Sequence, residues 1–125
     1  LKWNILNVAY KEDLRKTLLE MGYTNFHLVM GNSNDTVDET DCCFDVVLID
    51  GNHTYKQTKL DFESVIKKTK KGSYIIFDNS SDTQLPDTRY IEEDGGPWKV
   101  CEDLKVDSRV SFIKRVHRCT FFEVM

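Results

Sequence analysis

Two apolar segments of the chain each end in polar side chains that are able to bind a metal ion or transfer a proton. Phe44–Asp50 is followed three residues later by His53, and Ser73–Asp78 is followed directly by Asn79. Their β-branched and aromatic residues predict two buried strands. Because ligands bind at the carboxyl ends of the strands in an open parallel sheet, we expect the two polar ends to meet at one edge.

The residue types at these ends suit two kinds of chemistry. Two carboxylates and an amide oxygen are ligands that Mg²⁺ accepts, which gives a candidate metal site of Asp50, Asp78 and Asn79. A histidine titrates near neutrality and could accept a proton from a substrate, so His53, together with Asp50, is a candidate catalytic residue. Each also has a structural interpretation. Asp50 could cap the following helix, Asn79 could be a turn residue, and His53 could cap the helix or face solvent.

The rest of the chain must supply the elements that position these ends. Thr54–Lys71 places its apolar residues on one stripe and predicts an amphipathic helix that Gly72 ends. The remaining pattern predicts strands at Ile5–Tyr10 and Phe26–Met30, helices at Lys11–Met21, Val37–Thr40 and Trp98–Leu104, a loop or lid at Asn79–Pro97, and a hairpin of Arg109–Val116 with Cys119–Val124 around His117-Arg118. In the hairpin, Phe112, Phe121 and Val124 are expected on buried faces.

The order of these elements predicts an α/β fold. Strands that alternate with helices require a parallel sheet with right-handed crossovers, and the closing hairpin adds an antiparallel strand. A chain of 125 residues is long enough for one domain and too short for two, so residues 1–125 are expected to form a single domain.

The composition excludes several classes of function. The formal net charge of −4 gives no positive field that would hold nucleic acid, and no apolar stretch is long enough to cross a bilayer. The lysines between positions 67 and 71 are interpreted as the solvated end of a helix. The four cysteines have neither metal-site spacing nor the density of a disulfide scaffold. We therefore expect reduced thiols, a cytoplasmic location and a small-molecule substrate, with no nucleic-acid or membrane partner.

The motifs at the two strand ends resemble those of a known family. The strings FDVVLIDGNHTY and KKGSYIIFDN are similar to those of class I S-adenosylmethionine-dependent methyltransferases. They are most similar to small-molecule O-methyltransferases of the catechol and caffeoyl-CoA type and to relatives with an IDG-x-H-x-Y string. The likeness covers Asn7–Val124, and its most specific parts are Ile49–Tyr55 and Phe77–Asn79. It implies a Rossmann-like three-layer sandwich with a mostly parallel sheet and a C-terminal antiparallel hairpin.

The resemblance also implies roles for individual residues. The loop from Gly31 to Asp35 matches the loop that contacts the adenine of the cofactor. Asp50 matches a carboxylate that binds a divalent cation in the metal-dependent members, together with a pair that matches Asp78-Asn79. His53 matches a polar residue near the substrate, which in some relatives is a base. The cofactor-binding candidates are Gly31, Asn32, Ser33, Asn34 and Asp50.

The implied activity is methyl transfer from S-adenosylmethionine to an oxygen of a small-molecule acceptor. Mg²⁺ is a candidate metal cofactor for this reaction. The family's glycine-rich loop, which holds the methionine part of the cofactor, has no counterpart here. The domain is therefore expected to be incomplete at its N-terminus and to bind the cofactor weakly. The alternative is a non-catalytic methyltransferase-like module that binds a ligand or partner. An incomplete sheet would expose an edge or be completed by a partner chain, so a homo-oligomer is also among the expectations.

Overall fold

A computed structural model describes residues 8–81 and 95–125, which form four helices and one four-stranded sheet. The elements in chain order are α1 (Val8–Glu20), α2 (Ser33–Asp38), β1 (Phe44–Ile49), α3 (Tyr55–Ile66), β2 (Thr69–Phe77), α4 (Gly96–Leu104), β3 (Val110–Val116) and β4 (Cys119–Val124). The strands lie in the order β1-β2-β4-β3. This arrangement confirms the predicted α/β class. None of the described helices is long and apolar enough to cross a membrane.

The two strands that carry the candidate site are neighbours and run parallel, as predicted. Ile49 of β1 lies opposite Phe77 of β2, and the N–H of Asp78 donates to the carbonyl oxygen of Ile49 at 3.0 Å. Helix α3 connects the two strands on one face of the sheet. Because of this register, the residues that follow both strands lie at the same edge.

The C-terminal hairpin also forms as predicted, with β4 between β2 and β3. The prediction of its buried residues is correct for Val124 and wrong for two phenylalanines. Phe112 is 40% exposed, and Phe122 rather than Phe121 is fully buried. The cause is strand alternation, since Phe122 and Val124 share the inner face of β4 while Phe121 lies on the other. Phe112 lies on β3, the edge strand.

The core lies between the sheet and helices α3 and α4. The ring of Phe62 in α3 lies 6.2 Å from that of Phe77, which meets Phe122 edge-on at 5.8 Å. The buried apolar set is Ile49, Phe62, Val65, Ile75, Phe77, Val100, Cys101, Leu104, Val110, Phe122 and Val124. On the opposite face of the sheet, Val46 and Leu48 remain exposed. The packing of α3 against β2 therefore fixes the frame from which the site residues project.

The N-terminal strands differ from the prediction. Val8–Tyr10 begins α1, while residues 5–7 of the predicted strand Ile5–Tyr10 lie outside the described residues. Phe26–Met30 forms no strand. Within residues 8–81 and 95–125, no strand pairs with the outer edge of β1. Phe26–Met30 consequently has no ladder to join, and a lone strand would leave its backbone groups unpaired.

Helix boundaries are shifted at two places before the second site strand. Helix α2 begins at Ser33 rather than Val37, because the side chain of Asn32 caps it. Helix α3 ends at Ile66, so Gly72, with φ 86°, lies within β2 instead of ending the helix. The lysine cluster therefore spans the end of α3 and the start of β2, where Lys70 pairs with an aspartate of β1.

The segment after β2 is described only at its two ends. Most of the predicted loop Asn79–Pro97 lies outside the described residues, and α4 begins at Gly96 rather than Trp98. Pro97 occupies the first turn of α4, where its missing N–H costs no helical hydrogen bond.

Phe122→Ala should lower the free energy of unfolding by about 3–5 kcal/mol, because it opens a cavity among three packed aromatic rings. Phe121→Ala, on the other face of the same strand, should cost markedly less. Urea denaturation followed by circular dichroism measures both. Equal losses would contradict the assignment of the core to the α3–α4 face.

Candidate functional site

The residues that follow β1 and β2 form a contact group around a buried histidine. His53 Nε2 lies 3.0 Å from Asn79 Nδ2 and 3.5 Å from Asp50 Oδ1. His53 is 6% exposed, whereas the Asp50 side chain is half exposed. The amide of Asn79 can only donate through Nδ2, so in this contact Nε2 is the accepting ring nitrogen. The structure thus brings together three of the residues that the sequence predicted at this edge.

The helix cap after β1 comes from other residues. The hydroxyl of Thr54 accepts from the N–H of Gln57 at 3.2 Å, and Asn52 Oδ1 accepts from the N–H of Thr54 at 3.0 Å. Thr54 is therefore the N-cap of α3. The structural interpretation of Asp50 or His53 as the cap of this helix is therefore wrong.

Asn79 combines the two interpretations that the sequence left open. It lies in a turn with φ 49°, a left-handed conformation that asparagine tolerates better than most residues. The same conformation directs its amide to His53. The residue is thus a turn residue and a member of the site.

Asp78 is engaged by the C-terminal hairpin. Its Oδ1 accepts from Arg118 Nε at 3.1 Å and from the thiol of Cys119 at 3.3 Å. Burial, and then the hydrogen bond to Asp78, raises the pKa of the Cys119 thiol, which keeps it protonated as a donor. Sequence analysis missed both partners, because only the placement of β4 beside β2 brings the hairpin turn to this edge.

The donors for a metal ion are chemically suitable but only partly available. Asp50, Asp78 and Asn79 carry hard oxygen atoms of the kind that Mg²⁺ prefers. Asp78, however, already contacts Arg118. In the part of the chain that the structure describes, no three His, Cys, Asp or Glu side chains are grouped so that they could hold a metal. A metal at this edge would have to compete with the guanidinium group.

The loop predicted to contact adenine is held against α3 by its polar side chains. Asn32 caps α2, and Ser33 Oγ donates to Asp61 Oδ1 at 2.7 Å. Asn34 donates to Ser64 Oγ at 3.2 Å and to Asp61 at 3.4 Å. These side chains therefore join α2 to α3 through hydrogen bonds within the protein.

Asp61 is the functional candidate that sequence analysis missed. It is 6% exposed and also accepts a hydrogen bond from Gln57 Nε2 at 3.0 Å. The signal was present in the pattern, because Thr58, Asp61, Phe62 and Val65 form the buried stripe of α3. An aspartate on such a stripe is unusual, since a buried carboxylate needs donors to offset its desolvation.

A cavity of about 250 Å³ lies between α2, α3 and the length of β1. Its lining is Ser33, Val37, Phe44, Val46, Val47, Leu48, Ile49, Asp50, Gly51, Asp61, Ser64 and Val65. The wall is mostly aliphatic, with polar groups from the candidate site and from the Asp61 cluster. Of the five predicted cofactor-binding residues, Ser33 and Asp50 line the cavity, and Gly31, Asn32 and Asn34 lie beside it in sequence.

Tyr55, the last residue of the motif in β1 and α3, contacts α4 instead of the site. Its hydroxyl donates to Asp103 Oδ2 at 2.9 Å, and Lys99 pairs with the same carboxylate. The hydrogen bond to Asp103 is the main cause of a raised pKa of Tyr55. Tyr55 therefore ties the start of α3 to the helix that follows the long loop.

The chain is similar to methyltransferases in sequence and in fold. A family described as a methyltransferase domain matches residues 6–80. The O-methyltransferase of Bacillus cereus in complex with SAH is 19% identical with a TM-score of 0.69, and a Staphylococcus aureus protein provisionally named a caffeoyl-CoA O-methyltransferase is 17% identical with a TM-score of 0.71. The MycE methyltransferase of the mycinamycin biosynthetic pathway, in complex with Mg and SAH, is 17% identical with a TM-score of 0.59. No protein of curated function matches significantly.

The share of each chain that is covered differs between the three matched proteins. The match to the Bacillus cereus enzyme covers 95% of this chain and 60% of that protein, and the match to the Staphylococcus aureus protein covers 94% and 60%. For MycE the shares are 77% and 31%. The chain thus spans about three-fifths of the length of the first two, and at these identities the likeness concerns the fold.

Asn79→Gly should alter the tautomer of His53 without unfolding the protein. Glycine accepts φ 49° without strain, so the free energy of unfolding should change by no more than about 1 kcal/mol. Long-range ¹H–¹⁵N spectra in mildly alkaline buffer should show Nε2 as the unprotonated ring nitrogen of His53 in the wild type, and a changed tautomer signal in the variant. The exposed His27 serves as the internal control, and a protonated Nε2 in the wild type would contradict the geometry.

Proposed function

Because the chain belongs to a family of methyltransferase domains, we propose that it takes part in methyl transfer from S-adenosylmethionine to an oxygen of a small molecule. The observation that carries this proposal is the contact group of Asp50, His53 and Asn79 at the carboxyl ends of two parallel strands. Asp50 also lines a cavity that runs along β1. Ligands bind at such strand ends in open α/β sheets.

The cavity is the proposed seat of the adenine of the cofactor. Its volume of about 250 Å³ is below the range of about 300–1,000 Å³ for pockets that enclose whole drug-sized ligands, so it suits a base rather than the entire molecule. Aliphatic walls from Val37 and Val65 suit the faces of a flat heterocycle. The SAH present in the similar Bacillus cereus structure supports this assignment.

His53 is the proposed base for the acceptor hydroxyl. With S-adenosylmethionine bound, Nε2 would accept the hydroxyl proton while the acceptor oxygen takes the methyl group, and the electron pair of the broken carbon–sulfur bond would stay on sulfur. Asp50 Oδ1, 3.5 Å from that nitrogen, would then face a positively charged ring and stabilise it. Asp50 is half exposed, which gives the proton a route to water.

A divalent cation is the second element of the proposal. Asp50 and Asn79 would offer oxygen ligands, and Asp78 would join them in competition with Arg118. The Mg in the similar MycE complex supports including it. A bound Mg²⁺ lowers the pKa of a coordinated hydroxyl and fixes its position.

The proposed location is the cytoplasm. All four cysteines are free, with Cys42 and Cys43 exposed and Cys101 buried. Burial raises the pKa of the Cys101 thiol to about 12, which makes it unreactive. Exposed neighbouring thiols persist most readily in a reducing compartment.

His53→Ala should lower the turnover of S-adenosylmethionine on the order of a hundredfold, the usual effect of losing a general base. Asp50→Ala should abolish any Mg²⁺-stimulated part of the rate while the fold survives, since its side chain is half exposed. The assay follows formation of S-adenosylhomocysteine by purified protein that carries this chain, with a panel of catechols and hydroxycinnamoyl esters as acceptors.

His27→Ala is the matched control, because this histidine is exposed and outside the site. It should leave the rate unchanged. If the wild type binds S-adenosylhomocysteine but transfers no methyl group to any acceptor, the non-catalytic binding module is the correct interpretation. If His53→Ala retains the full rate of an active wild type, the assignment of the base is wrong.

Arg118→Gln should increase the affinity for Mg²⁺, because it removes the cation that contacts Asp78. Arg15→Gln is the control, since it removes the same charge from α1. Isothermal titration with MgCl₂ measures both variants against the wild type. An affinity that is equal in all three proteins would exclude Asp78 as a metal ligand.

A further inference from the structure

A chain of polar side chains links helix α4 to the turn that follows β2. Ser80 and Thr120 are fully buried, and their hydroxyl oxygens lie 2.7 Å apart. Arg115 on β3 donates to Thr120 Oγ1 at 2.9 Å and to Glu102 Oε1 of α4 at 3.0 Å. Apolar side chains of similar size would pack there without needing partners, so these groups contribute a defined geometry more than stability.

Ser80 fixes the turn after β2 with both its hydroxyl and its backbone. Its Oγ lies 2.9 Å from the carbonyl oxygen of Phe77, the last residue of β2, and 3.2 Å from the carbonyl oxygen of Arg118. The N–H of Ser80 donates to the same Arg118 oxygen at 2.8 Å. Ser80 therefore joins the end of β2 to the hairpin turn between β3 and β4.

Asn79, whose amide contacts His53 Nε2 at 3.0 Å, lies between two anchored residues. Ser80 holds it on one side, and on the other the N–H of Asp78 donates to the carbonyl oxygen of Ile49 at 3.0 Å. Asn79 is one of two non-glycine residues with a positive φ in the described parts of the chain. Such a conformation persists where the surrounding structure imposes it, and these anchors are the groups that do so here.

We propose that Ser80 and Thr120 are positioning residues for the candidate base His53, and that they act through the turn conformation of Asn79. The inference rests on the proposed function and adds to it two residues that are themselves fully buried. Removal of the Ser80 hydroxyl releases the turn on one side. The amide of Asn79 then leaves His53 Nε2 for part of the time, and the accepting tautomer of the ring is favoured less strongly.

The test compares two buried serines that contact opposite ends of the sheet. Ser80→Ala removes the hydroxyl beside Asn79. Ser73→Ala removes a hydroxyl that donates at 2.9 Å to the carbonyl oxygen of Phe44, the first residue of β1, and Ser73 is 1% exposed. Each variant loses one buried hydroxyl and its contact with a backbone carbonyl, so the free energy of unfolding should fall by a similar amount in both.

Long-range ¹H–¹⁵N spectra in mildly alkaline, Mg²⁺-free buffer give the ratio of the two neutral tautomers of His53. In Ser80→Ala the ratio should shift toward a protonated Nε2 by about fivefold, as expected for the loss of one intramolecular hydrogen bond. Ser73→Ala should keep the wild-type ratio. Thr120→Val keeps the shape without the hydroxyl and should shift the ratio in the same direction, whereas Thr120→Ser keeps the hydroxyl and should not.

Several outcomes would overturn the proposal. An unchanged tautomer ratio in folded Ser80→Ala would do so, and so would an equal shift in Ser73→Ala. If Ser80→Ala does not fold, equal ratios in Thr120→Val and Thr120→Ser would overturn it instead. If the ratios shift as expected but the wild type transfers no methyl group, the positioning of His53 is confirmed and only the proposed function is wrong.

Discussion

The parallel pairing of β1 with β2 is the constraint on which the rest of the structure depends. The hydrogen bond from the N–H of Asp78 to the carbonyl oxygen of Ile49 continues the ladder to its last residue, so both strands end at the same level. A shift of one residue would turn Asp78 to the other face of the sheet. The register is held by the core side chains of Ile49 and Phe77, which are packed against α3. The packing of the residues directly before Asp50 and Asp78 thus determines the geometry of the site.

A buried carboxylate imposes the second constraint. Asp61 lies on the stripe of α3 that otherwise packs against apolar residues, and its burial is tolerable only because donors from α2 and α3 surround it. An apolar residue there would pack as well and need no partners. The carboxylate therefore imposes a specific position on α2, which has six residues and would not be stable alone. The arrangement favours a defined cavity wall over maximal stability.

The sequence predicted what depends on local pattern. The apolar runs predicted β1, β2 and the hairpin strands, and the parallel pairing followed from the length of the helical connection between them. It did not predict the contact of Arg118 with Asp78, because that depends on β4 lying between β2 and β3. Phe26–Met30 has the pattern of a strand but forms none, since pairing requires a neighbour that the pattern itself cannot supply. The hydrogen bonds of Asp61 could not be predicted, because their donors come from two elements.

The hairpin also sets the electrostatics of the candidate site. Two acidic residues, Asp50 and Asp78, end neighbouring strands, and Arg118 offsets the second charge. The Arg118 side chain is 59% exposed, so solvent screens the pair and its contribution is about 0–1 kcal/mol. So weak a pair holds Asp78 in place without making it inaccessible to a cation of higher charge. The same geometry therefore offsets the charge of the buried Asp78 with a partner that is itself exposed and can be displaced.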